Sequence, residues 1–93
     1  MSHGLIIQTR PNEDGIMRIG YTVSKRTDKS AVKRNRIKRR LRAAAAEILP
    51  ENAKDGQDYI FVGRPQTLTR PFETLKKDIT WCLGKLELLE KKS

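Results

Sequence analysis

The chain has 93 residues, of which 20 are Lys or Arg and 11 are Asp or Glu, giving a formal net charge of +9. That length predicts one domain, residues 1–93, with a small core. A single cysteine, Cys82, and a single histidine, His3, exclude an internal disulfide and a Cys/His zinc site. No apolar run is long enough to span a membrane and no signal peptide is evident, so we predict a cytoplasmic protein.

Two strands are predicted in the first quarter of the chain. Residues 5–10 form a short aliphatic run, and residues 17–24 alternate between apolar and polar side chains, which is the period of a strand. The Pro, Asn, Asp and Gly residues between these two runs favour a turn. An antiparallel hairpin is the simplest pairing of the two strands.

A helix is predicted over residues 31–49, with Ser30 as its N-cap. Pro50 and the polar residues 51–58 are expected to end it. Its core-facing stripe repeats at helical spacing and consists of Ile37, Leu41, Ala44 and Ile48. The opposite side carries Asn35, Arg39 and Arg42, with Arg36 and Lys38 beside them.

The second half of the chain predicts one more strand and one more helix. Residues 59–63 are continuously apolar, as expected of a strand buried on both faces. A connection containing Pro65 leads to a helix that begins at Thr69 or Arg70. Its predicted buried stripe is Phe72, Leu75, Ile79, Leu83 and Leu86, with Cys82 alongside as a buried thiol. The β-β-α-β-α order predicts an α+β sandwich, with both helices on one face of a small sheet.

The positive charge is concentrated in one segment. Ten of the 18 residues from 25 to 42 are Lys or Arg and only Asp28 is acidic, so this segment carries the whole net charge. Residues 31–46 contain no acid, and the resulting repulsion favours a polyanionic partner over a merely solvated surface. Arg outnumbers Lys in the helix, which suits RNA because guanidinium groups bind phosphate oxygens in pairs and stack on bases. Asn35 is either a surface residue or a hydrogen-bonding group to RNA or a neighbouring loop.

Other classes of protein remain as alternatives. A general RNA- or DNA-binding domain, or a ribosome-associated basic domain, would show the same charge pattern. A basic amphipathic helix could also dock on anionic membranes, but its apolar stripe is narrow and is needed for the core. Catalysis by this chain's own side chains is not predicted, because His3 stands alone and the acids are scattered.

One family shares the order of these sequence features. The segments 23–26 and 31–42, with Arg34-Asn35-Arg36 at their centre, resemble the signature of the bacterial ribonuclease P protein subunit. Residues 18–25, 58–64 and 68–72 are also similar to that family, in the same order. The resemblance covers nearly the whole chain.

The resemblance implies a partner RNA and a substrate. Proteins of that family bind a catalytic RNA that removes the 5′ leader of precursor tRNA, and the RNA performs the hydrolysis with bound Mg²⁺. It implies that this chain holds no cofactor of its own and has no catalytic side chains. The residues implied in RNA binding are Lys25, Arg26, Lys33, Arg34, Asn35, Arg36, Lys38, Arg39 and Arg42. Ile6 and Gln8 are implied in the cleft for the leader.

The resemblance also implies details of the fold. A left-handed βαβ crossover, like that of a ribosomal-protein domain, would join the strand at 17–24 to the strand at 59–63 through the basic helix. Family members usually begin with a basic, Phe-containing helix that forms one wall of the leader cleft, and that helix is expected to be absent here. The sequence leaves the oligomeric state open.

Overall fold

The computed structural model describes residues 4–89, which form a three-stranded sheet and two α-helices. The elements are β1 (Leu5–Pro11), β2 (Arg18–Thr22), α1 (Ala31–Asn52), β3 (Gln57–Gly63) and α2 (Phe72–Lys85), with a 3₁₀ turn at Pro65–Leu68. The predicted α+β class and β-β-α-β-α order are therefore confirmed. His3, the single histidine that the sequence offered as a catalytic base and that we did not predict to act as one, lies outside the described residues.

The central strand of the sheet is β3, so the predicted hairpin between β1 and β2 is wrong. β1 pairs with β3 in antiparallel fashion and β2 pairs with β3 in parallel, which gives the order β1-β3-β2. The turn after β1 lies beside the start of β3, where the backbone amide of Asn12 donates to the carbonyl of Gly56 at 2.9 Å. The most apolar strand gains most from the central position, since both of its edges are then paired.

Both helices pack on the same face of the sheet. Leu5, Ile7, Tyr59 and Phe61 point to that face and are buried. The opposite face carries no helix within residues 4–89, and Ile60 is 37% exposed there. The prediction that β3 is buried on both faces is therefore wrong. Alternate side chains of its apolar run point to the core and to the open face of the sheet.

The connection from β2 through α1 to β3 joins two parallel strands, as the predicted crossover requires. Its left-handed sense stays a prediction. α1 begins as expected, with the Ser30 hydroxyl accepting a hydrogen bond from the Lys33 amide at 3.3 Å. Its core stripe includes the fully buried Ile37, Leu41 and Ala44.

Pro50 does not end α1, contrary to the prediction, and the helix continues to Asn52. Proline in the last turn removes only one backbone hydrogen bond. Leu49 and Ala53 on either side of that turn are fully buried, and the Ala53 amide donates to the Leu49 carbonyl at 3.1 Å. Packing of these two residues therefore maintains the helical turn despite the missing donor.

α2 begins later than predicted, at Phe72. The amides of Thr69 and Arg70 donate instead to the Gln66 carbonyl, at 3.2 and 2.9 Å, and complete the 3₁₀ turn. Pro71 then disfavours a helical conformation at Arg70, so the α-helix starts after the proline.

The far end of α2 differs from the predicted stripe at one position. Leu75, Ile79, Cys82 and Leu83 are buried as predicted and Phe72 is partly buried, whereas Leu86 is 40% exposed. The helix ends at Lys85, and Glu87 adopts a left-handed conformation with φ of 59°. This reversal turns Leu88 toward the core instead, and its amide donates to the Leu83 carbonyl at 2.9 Å.

A glycine at the end of β3 sets how closely α1 approaches the sheet. Gly63 is buried, and a Cβ atom there would lie 2.8 Å from Val23 Cγ2 and closer still to Ile37 Cγ2. Both neighbouring atoms are branches next to the backbone, so they cannot swing away. The absence of a side chain at position 63 therefore allows the basic helix to rest directly on the strand.

Candidate nucleic-acid interface

The cationic residues of α1 emerge on several sides of the helix, because successive side chains are about 100° apart. The core stripe occupies one side, and Asn35, Arg39 and Arg42 are exposed on the opposite side, as predicted. Within residues 4–89, neither Asn35 nor Arg39 makes a side-chain hydrogen bond. These groups are therefore available to an external partner.

The side of α1 that faces β2 is organised around Tyr21. The Arg42 guanidinium lies over the Tyr21 ring, 5.3 Å from its centroid, and that ring contacts Phe61 at 5.6 Å between centroids. Burial raises the pKa of Tyr21, and the charge of Arg42 acts in the opposite direction. The tyrosine thus stays neutral and provides a flat surface that orients an exposed arginine.

At the N-terminal end of α1, the one acid of the basic segment is already engaged. The Asp28 carboxylate accepts a hydrogen bond from the Ser30 amide at 2.8 Å, and its carbonyl accepts one from Arg34 at 2.8 Å. The preceding turn exposes Lys25 and Arg26. This arrangement leaves the cations of the turn and of the first helical turns facing solvent.

The side of α1 that faces α2 contains a pocket of about 390 Å³. Its lining residues are Arg36, Arg39, Arg40, Ala43 and Phe72. Three of the five residues are cationic and none is acidic.

The open face of the sheet presents three rows of side chains defined by the strand register. One row is mostly apolar, one is mixed, and one is charged. They are Ile6–Val62–Thr22, Gln8–Ile60–Gly20 and Arg10–Asp58–Arg18. Ile6 is half-buried and Gln8 is exposed, so both side chains predicted for the leader cleft lie on this face.

Two further properties concern the described part of the chain, residues 4–89. It contains no group of three or more His, Cys, Asp or Glu side chains arranged to hold a metal ion. Neither of its helices is both long and apolar enough to cross a membrane.

Comparison with known proteins gives one consistent match. The family model for ribonuclease P matches residues 1–87. The chain is 41% identical to the ribonuclease P protein component of Paramagnetospirillum magneticum, over 95% of this chain and 69% of that protein. It is 43% identical to the component from Ruegeria pomeroyi, over 88% of this chain and 68% of that protein.

The chain belongs to the ribonuclease P protein family. As a member, it is a subunit of a ribonucleoprotein endoribonuclease whose partner is the ribonuclease P RNA, and RNA binding and tRNA processing follow from that membership. The fold agrees, since the RNase P protein of Staphylococcus aureus superimposes with a TM-score of 0.74 at 22% identity, over 97% of this chain and 81% of that one.

The residues predicted for RNA binding in this ribonuclease P protein form one mostly exposed segment. Seven are exposed and two, Arg34 and Lys38, are half-buried. Arg34 also fixes the loop before α1 through its bond to the Asp28 carbonyl. The assignment of these nine residues to RNA stays a prediction, as does that of Ile6 and Gln8 to the leader.

Arg40 has a role that the sequence did not reveal. Its Nε donates to the Thr67 carbonyl at 2.8 Å, and its Nη2 donates to the Arg70 carbonyl. Arg70 in turn pairs with the buried Asp78, with Nε to Oδ2 at 2.5 Å. Arg40 therefore ties α1 to the start of α2. The one available signal was its helical position, since it lies one residue before the buried Leu41 and not on the outer side.

We expect Arg40→Ala to destabilise the protein and Arg39→Ala to leave its stability nearly unchanged, although the residues are adjacent. Arg40→Ala should lower the free energy of unfolding by about 1–2 kcal/mol, because two partly buried carbonyls lose their donors. Arg39→Ala should leave stability within about 0.5 kcal/mol of wild type, since its side chain is exposed. Thermal unfolding measures both, and equal stability of the two variants would show that the Arg40 bonds contribute nothing.

Proposed function

We propose that this chain binds the ribonuclease P RNA through α1 and the turn at residues 25–27, and that it contacts the 5′ leader of precursor tRNA. The observation that carries the proposal is the mostly solvent-facing set of cations in residues 31–42 of α1. This stretch contains no acid, and the acid that precedes it, Asp28, is already hydrogen-bonded. Contacts of this kind release counterions from RNA, which drives association at moderate salt.

The open face of the sheet is the proposed contact surface for the leader. Its apolar and mixed rows, including Ile6 and Gln8, offer a surface against which unpaired bases could lie. Arg10 stands at one end of the same face and would attract the phosphates, whereas Arg18 beside it is paired with Asp14. An extended single strand could follow the rows across the sheet.

In this proposal the RNA, and not the protein, catalyses the hydrolysis. Mg²⁺ bound by the RNA would activate the attacking water and stabilise the leaving oxygen. This chain would supply positive charge close to the crowded phosphates and so lower the Mg²⁺ concentration that the RNA needs. Because its substrate would be newly made tRNA, we place this function in the bacterial cytoplasm.

Reconstitution tests the proposal. The chain is mixed with a bacterial ribonuclease P RNA and a precursor tRNA carrying a 5′ leader, at a Mg²⁺ concentration at which the RNA alone is nearly inactive. We expect leader release that requires both components. The protein without the RNA is the control, and it should release nothing because the proposal gives its side chains no catalytic role.

Each result separates one part of the proposal from another. Tight RNA binding without stimulation would contradict the leader contact and leave the α1 contact standing. Neither binding nor stimulation would contradict the proposal as a whole and leave a general basic domain. A precursor with a leader shortened to one nucleotide isolates the sheet, since stimulation through the open face should then largely disappear.

A further inference from the structure

The pocket between α1 and α2 has the composition of a nucleotide site. It measures about 390 Å³ and is lined by Arg36, Arg39, Arg40, Ala43 and Phe72. Sites for small ligands begin at about 300 Å³ and combine an apolar wall with a few convergent polar groups. Here the apolar wall is Phe72 with the small Ala43, and the polar groups are all guanidinium groups.

The three arginines differ in how they are held. Arg40 is fixed by its bonds to the carbonyls of Thr67 and Arg70, so it forms a rigid part of the wall. Within residues 4–89, the side chains of Arg36 and Arg39 make neither a hydrogen bond nor an ion pair. The pocket thus contains two arginines with unused donors beside one that is already positioned.

Two acids near Phe72 share one lysine partner. Lys76 lies 5.5 Å from the centroid of the Phe72 ring and pairs with Glu73 at 3.0 Å and with Glu47 at 3.7 Å. The hydrogen bond to Glu73 is the main reason that the pKa of Lys76 is raised, so this lysine keeps its charge and screens both carboxylates. An anion approaching Arg36 and Arg39 therefore meets no unpaired carboxylate at this border.

We propose that this pocket binds one unpaired nucleotide of an RNA, with the base against Phe72 and the adjoining phosphate between Arg36 and Arg39. An unpaired nucleotide is required because the base faces in a duplex are already stacked on their neighbours. The proposal rests on the proposed RNA-binding function and adds a base-contacting site to a surface otherwise described by charge alone.

The test compares two fluorescent probes of equal charge, penta-adenylate and a five-residue abasic ribose-phosphate strand. The wild-type chain should bind penta-adenylate roughly 5- to 150-fold more tightly, the range measured for stacking of one base on an aromatic side chain. Phe72→Leu should reduce this ratio to near one without changing the affinity for the abasic strand. Binding is followed by fluorescence anisotropy at fixed salt.

A second variant guards against loss of folding. Ala43 is exposed on α1, so Ala43→Leu fills the pocket without altering the core or the charge. This variant too should bind penta-adenylate and the abasic strand with nearly equal affinity. Thermal unfolding checks that both variants fold.

Trp81 offers a matched control on the same helix. Its side chain is 45% exposed, and Lys85 lies 5.5 Å from its ring centroid, as Lys76 does from that of Phe72. The pocket beside Trp81, however, is lined by no arginine. Trp81→Leu should keep the wild-type ratio.

The outcomes distinguish this site from the function on which it rests. Equal binding of the two probes by wild type, or a ratio that survives in both Phe72→Leu and Ala43→Leu, would overturn the pocket. Loss of the base preference in Trp81→Leu alone would also overturn it, because the stacking would then take place on Trp81 and not on Phe72. A base preference at Phe72 in a protein that fails to bind ribonuclease P RNA would support the pocket and contradict the proposed function.

Discussion

Replacing Gly63 with alanine is expected to lower the free energy of unfolding by about 2–3 kcal/mol, one of the larger effects available from a single methyl group in this chain. The new Cβ would overlap Ile37 Cγ2 and Val23 Cγ2, and α1 would have to move away from β3 to make room. For a domain of this size the loss corresponds to a melting temperature lower by about 10–20 °C.

The same substitution at Gly84 provides the control. This glycine lies in α2, is exposed, and would place a Cβ with no atom within 4 Å. Gly84→Ala should therefore be neutral or stabilise the protein by up to about 1 kcal/mol, because alanine is the better helix former. If both variants lost stability equally, the close approach at position 63 would not be the cause.

The double variant Arg39→Ala/Arg42→Ala is expected to weaken binding to ribonuclease P RNA by about tenfold or more. Each lost phosphate contact should also reduce the log–log slope of affinity against salt by roughly 0.7–0.9. Stability should fall by no more than about 1 kcal/mol, which is the scale of the exposed contact between Arg42 and the Tyr21 ring. Filter binding at several salt concentrations and thermal unfolding measure the two effects.

A control of equal charge is available elsewhere on the surface. Lys54 and Lys77 are exposed and lie outside residues 25–42, so Lys54→Ala/Lys77→Ala removes the same charge from another region. It should leave the salt slope nearly unchanged. An equal loss of affinity in both double variants would mean that net charge alone, and not the face of α1, determines binding. Unfolding of Arg39→Ala/Arg42→Ala would show instead that these arginines are structural.

The elements of the fold could be predicted from local patterns, but their arrangement in the sheet could not. The alternation in residues 17–24 predicts a strand, and a shorter one forms at Arg18–Thr22; Ser30 caps α1 as predicted. Both signals depend only on neighbouring residues. The pairing of β1 with β3 depends instead on contacts more than 40 residues apart, such as Ile7 with Phe61. No local signal distinguishes that pairing from a hairpin, since the turn after β1 has the same residues in either case.

The candidate interface was predictable where it depends on charge and not where it depends on tertiary contacts. Helical periodicity correctly placed Asn35, Arg39 and Arg42 away from the core. The periodicity could not show that Arg40, unlike Arg39, has a structural role. That role depends on the 3₁₀ turn, which places the Thr67 carbonyl within reach of Arg40. The pocket at Phe72 likewise requires α2 to lie beside α1, and nothing in the sequence around residue 72 indicates which part of α1 it meets.

The central position of β3 has a consequence for the order of events during synthesis. Every strand pair in residues 4–89 includes β3, which is the last strand to be translated. Neither β1 nor β2 can complete its strand pairing until β3, which ends at residue 63, has left the ribosome. The helix α1 has already been translated by then. The nascent chain therefore presents a highly cationic helix, without its sheet, beside the RNA-rich surface of the ribosome. Folding must compete with non-specific capture of that helix during this interval.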